Sequence, residues 1–70
     1  MNPQAWTYVW YDPKKEVREQ KEYGTIGEAL GAAIHHVDNG IVPVEIWHKG
    51  WIFHNHDRIM ATYRKYKDGN

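Results

Sequence analysis

The chain contains no cysteine and no serine. Without cysteine there is no disulfide framework, no thiolate zinc finger and no cysteine nucleophile. Without serine, a serine-nucleophile mechanism is excluded as well. No apolar run approaches the length of a membrane span, and the opening residues do not read as a secretory signal. An excess of either charge is also missing: nine Lys plus Arg balance nine Asp plus Glu, for a formal net charge of zero. That balance argues against a protein whose main task is to grip nucleic acid by its phosphates. No Gly-rich phosphate loop and no HExxH pattern occurs.

What the chain does have is aromatic surface and histidine. Its 70 residues include four Trp, five Tyr, one Phe and five His. Disordered chains lack aromatics at this density, so a folded, soluble, cytoplasmic single domain over residues 1–70 is expected. Residues 1–4 and 67–70 read as loose ends. A domain this short buries only about 60% of its unfolded surface and is marginal by itself. Small domains usually add a disulfide, a metal or a partner chain. With disulfides unavailable, the remaining reinforcements are large aromatics, a histidine-bound metal or a homodimer.

Periodicity predicts the elements. Ala5 to Tyr11 is rich in aromatic and β-branched residues and reads as a strand. Asp12-Pro13-Lys14-Lys15 reads as a turn, and Glu16 to Tyr23 as a polar return strand at a sheet edge. Thr25 and Glu28 have capping-box spacing. Ile26, Ala29, Leu30, Ala33, Ile34 and Val37 follow as one apolar helical stripe, ended by Asp38-Asn39-Gly40. Val42 to His48 and Trp51 to His56 read as a second hairpin around Lys49-Gly50. Asp57 is placed to cap a short final helix from Arg58 to about Tyr66. The predicted fold is α+β, in the order ββαββα: a small antiparallel four-stranded sheet with a helix packed on one face and a short C-terminal helix.

Register then assigns faces. A two-residue Lys49-Gly50 turn would oppose His48 to Trp51, Ile46 to Phe53 and Val44 to Asn55. Val44, Ile46, Trp51 and Phe53 would form the core side. Glu45, Trp47, Ile52, His54 and His56 would lie on the other side, with Glu45 across from His54. In the first hairpin, pairing Tyr11 with Glu16 puts Trp6, Tyr8, Trp10, Val17 and Tyr23 on one face. Thr7, Val9, Tyr11, Arg18, Gln20 and Glu22 fall on the other.

These faces give three candidate chemistries. His54 and His56 are two apart on one strand, so both imidazoles can approach one ion. Glu45, His48 and Asp57 are the further ligand candidates, with His35 or His36 if the fold brings them near; zinc accepts such an N/O set in four-coordinate geometry, and imidazole suits copper or nickel as well, so the sequence does not fix the metal. The alternative is a solvated histidine pair. Trp47 and Ile52, with Glu16, Glu19 and Glu22 of the acidic hairpin, are candidate contacts for a protein partner. Arg58, Arg64, Lys65 and Lys67 form a basic C-terminal segment that could meet nucleic acid, or simply suit a helix C-terminus. A metal-dependent hydrolase ranks last, because so short a chain leaves little room for a pocket with supporting residues.

In size and in its lack of catalytic motifs, the chain is similar to small phage or mobile-element accessory proteins of the anti-CRISPR kind. That resemblance implies a compact, non-enzymatic inhibitor or regulator that covers a surface of a larger protein or nucleoprotein machine.

Overall fold

The computed structural model describes residues 4–69; residues 1–3 and Asn70, expected as loose ends, lie outside the described residues. The elements follow the predicted order: β1 (Trp6–Asp12), β2 (Val17–Tyr23), α1 (Ile26–Asp38), β3 (Val42–His48), β4 (Trp51–Asn55) and α2 (His56–Asp68). The four strands form one antiparallel sheet in the order β2-β1-β3-β4. The two hairpins therefore lie side by side, with β1 and β3 central and β2 and β4 at the edges.

Local chemistry sets the ends of α1. Thr25 Oγ1 accepts from the Glu28 amide at 3.1 Å, and Glu28 Oε1 accepts from the Thr25 amide at 3.1 Å. This reciprocal pair satisfies two of the free donors of the first turn. At the other end Gly40 takes a left-handed φ of 78°. The Gly40 amide donates to Val37 O and the Ile41 amide to His36 O, which is a Schellman closure.

Both helices pack on one face of the sheet. Tyr8 and Ile46, directly opposed on β1 and β3, are fully buried with Ala29 and Ala33 of α1 and Ile59 of α2. Alanines at these two positions let α1 lie close to the strands, while Tyr8 and Ile46 fill the space beneath. Trp6, Trp10, Tyr23, Ile26 and Leu30 pack around this centre. The Tyr8 hydroxyl shares a 2.9 Å hydrogen bond with Nδ1 of His36, so the polar tip of this buried ring is satisfied. Asp38 joins the helices: the Tyr63 hydroxyl donates to it at 2.7 Å and the Lys67 ammonium at 3.2 Å.

Several expectations are corrected. The first hairpin pairs Tyr11 with Arg18 and Asp12 with Val17, two residues away from the expected register. Asp12 Oδ1 accepts from the Lys14 amide at 3.0 Å, and Glu16 turns at a φ of 56°, so the four-residue link runs over 13–16 instead of the expected 12–15. A slip of two keeps every side chain on its predicted face. In the second hairpin, Lys49 and Gly50 both have positive φ, as a two-residue primed turn requires. His48 opposes Trp51 and Trp47 opposes Ile52 as expected. Beyond them Phe53 is an extra residue, so His54 rather than Phe53 opposes Ile46, and Glu45 opposes Asn55. A second irregularity leaves Val44 unpaired between Val9↔Glu45 and Trp10↔Pro43. Pro43 takes the buried place expected of Val44, and Trp51 (77% exposed) and Phe53 (49%) are not core residues.

The final helix also begins earlier than expected. The Asn55 side chain accepts from the Arg58 amide at 2.9 Å, so Asn55 is the cap and Asp57 sits inside the first turn. Lys67 and Asp68, expected in a loose tail, are helical, and α2 is as long as α1.

Candidate functional site

Alternation along the strands builds the face that neither helix covers. Three rows cross it, read directly from the pairing. Glu22, Thr7, Trp47 and Ile52 form the first; Gln20, Val9 and Glu45 the second; Arg18, Tyr11 and Val42 the third. Ile52, Val42 and Tyr11 are 49%, 40% and 36% exposed. Val9 is buried beneath its neighbours. A shallow depression of about 420 Å³ opens here, lined by Thr7, Val9, Arg18, Gln20, Glu45 and Trp47, with Gly50 at one end.

The chemistry of this face is mixed. Trp47 and Ile52 are a direct cross-strand pair of an aromatic and a β-branched residue, a combination that packs well on a pleated surface. Arg18 and Glu45 bring one guanidinium and one carboxylate to the rim. Neither forms an ion pair among the described residues. Their hydrogen-bonding capacity is therefore open to a ligand of matching shape.

The five proposed metal ligands do not converge. Glu45 is on the open face. The extra residue at Phe53 turns His54 to the helix-covered face, opposite Ile46. His54 Nδ1 is buried there without a hydrogen-bond partner among the described residues. Burial, aided by the positive charge of Arg58, pushes its imidazole below the usual value. His56 is the first residue of α2, and its Nδ1–H donates to Pro43 O at 2.6 Å. His48 stacks on Trp6, with ring centroids 3.6 Å apart, and donates from Nδ1 to Ala5 O at 3.3 Å. Asp57 lies exposed in the first turn of α2. Among the described residues no three His, Asp or Glu side chains gather as a metal site. His35 and His36 remain in the last turn of α1. Burial lowers the His36 pKa, and His35 adds to the effect, which favours a neutral ring beside Tyr8.

The remaining candidates separate as well. Trp47 and Ile52 stand together on the open face. Glu22 joins them, but Glu19 points to the helix side and Glu16 lies in the turn, so the three glutamates form no single patch. Arg58, Arg64, Lys65 and Lys67 belong to α2, across the sheet from Trp47, and Lys67 is paired with Asp38 at 3.1 Å. Arg18, Gln20, Tyr11 and Val42 were not singled out as contacts from the sequence. Strand alternation does place the first three on the same side as Trp47, and that was the available signal.

No family model, curated protein or solved structure matches the chain.

Proposed function

We propose that this chain is a non-enzymatic protein-binding module that regulates or inhibits a larger protein by covering part of its surface. The reading rests on one observation: both helices pack on the same side, leaving Trp47 and Ile52 opposed on a face that, among the described residues, no other element covers. Trp and large aliphatic anchors surrounded by a polar rim are the usual make-up of a protein contact. Arg18 and Glu45 would fix orientation, because a partner must present a carboxylate near one and a cation near the other. Shallow relief suits a protein surface better than a small substrate, which needs a deeper enclosure.

A nucleic-acid role gains less support. It would need the basic side chains and the exposed aromatics to act together. The basic side chains are on α2, and the open face carries two carboxylates, Glu22 and Glu45, against one guanidinium, Arg18.

The test is affinity capture from the source cell's lysate with the wild-type chain, Trp47→Ala, Glu45→Ala and Arg58→Glu. The reading expects one protein recovered by wild type and by Arg58→Glu, and lost or strongly reduced with Trp47→Ala and Glu45→Ala. Retention by both open-face variants would reject the surface. A capture abolished by nuclease, with affinity falling steeply in salt, would favour the nucleic-acid reading instead.

A further inference from the structure

The outer edge of β2 carries a charge order that is its own complement. β2 is a seven-residue edge strand, paired to β1 without interruption, and all its residues but Tyr23 are exposed. Its free peptide groups are a template for another strand. We propose that this edge pairs, antiparallel and two-fold, with the β2 edge of a second copy of this chain, making a continuous eight-stranded sheet. This interface is made by the peptide edge of β2 and shares Arg18, Gln20 and Glu22 with the border of the open face described above.

Register is what carries the argument. Antiparallel partners point to the same face of a sheet. A two-fold axis through such a pair therefore passes through one residue facing its own copy. An axis at Arg18, Glu19, Lys21 or Glu22 would oppose two like charges at the centre, which is destabilising. An axis at Gln20 opposes two neutral amides, each with a donor and an acceptor to offer the other. With the axis there, Arg18 meets Glu22 of the second copy, Glu19 meets Lys21, and Val17 meets Tyr23. Every charge in the strand finds an opposite charge, and symmetry makes each contact twice. None of these four charged residues forms an ion pair within its own chain among the described residues.

The other edge is built differently. β4 has five residues and is interrupted at Phe53, the kind of short, irregular edge that resists strand addition. A β2–β2 pair would keep all four helices on one side of the joint sheet and set two open faces side by side on the other. The area is that of a single strand pair, so the dimer is of the weak, concentration-dependent class.

Sedimentation equilibrium of the full chain at physiological salt, across a wide concentration range, tests this. The wild type is expected to approach twice the chain mass at high concentration. Arg18→Glu replaces two attractive contacts with two repulsive ones and should weaken the dimer by about tenfold or more. Gln20→Lys places like charges on the axis and should weaken it too. The double change Arg18→Glu with Glu22→Arg restores every opposed pair and should return the dimer. All three positions are exposed, and a circular dichroism melt confirms that each variant is folded. A wild type that stays monomeric throughout overturns the proposal. So does a dimer indifferent to Arg18→Glu, or a folded double variant that fails to recover.

Discussion

The two faces of β1 do opposite work with alternate residues. Trp6, Tyr8 and Trp10 point toward the helices, where Tyr8 and its partner Ile46 are fully sealed. Thr7, Val9 and Tyr11 point the other way, into a face that keeps Ile52 and Val42 nearly half exposed. One strand thus holds the fold together on one side and presents a surface on the other. The difference teaches that aromatic content alone does not identify a core. The same residue types are sealed where a helix closes over them and left partly exposed where none does.

The comparison breaks first if the sealed side is cut. Ile46→Ala removes a fully buried side chain and is expected to cost about 2–5 kcal/mol. A domain of this size has roughly 3–5 kcal/mol to lose, so a urea titration should find much of the variant unfolded without denaturant. Tyr8→Phe is the next largest cut. It removes the bond to His36 and leaves the Nδ1 atom without that partner, at a cost of about 0.5–1.5 kcal/mol by the same titration.

Acid sharpens the contrast further. His36 and His54 both face the helix side, and burial holds both imidazoles below the usual value of 6.5. Just below that value the unfolded chain binds more protons than the folded one. Their contribution is therefore complete above pH 6.5 and is lost as the pH falls from there toward the lowered folded values. Asp38 adds a second window at lower pH. The bond from Tyr63, then that from Lys67, holds its carboxylate below the usual range, so its support disappears only as the pH falls through that lowered value. The urea midpoint should decline in both windows. His36→Asn should flatten the first, and Asp38→Asn the second.

Much of this was legible in the chain. Thr25 and Glu28 announce α1 because the capping box is a local device, complete within four residues. Lys49-Gly50 fixes the first two pairs of the second hairpin for the same reason. Two even-numbered consequences also held: Trp47 and Ile52 lie together, and the two-residue slip of the first hairpin moved no side chain to the wrong face. The failures lie where a single residue breaks alternation. Nothing in Trp51 to Asn55 marks Phe53 as the extra residue, because an alternating pattern is equally well written with or without it. That one insertion puts Glu45 and His54 on opposite faces of the sheet. The start of α2 failed differently: Asn55 and Asp57 are both good caps, and tertiary packing of Ile59 into the core decides between them.

The central claim is that the open face is not needed for stability. It is tested most directly by urea unfolding of Trp47→Ser with Ile52→Ser, set against Ile46→Ala. Cross-strand pairs contribute about 0.2–1 kcal/mol, so the double variant should unfold within about 1 kcal/mol of wild type. A loss as large as that of Ile46→Ala would show that Trp47 and Ile52 are part of the core, and would contradict the account.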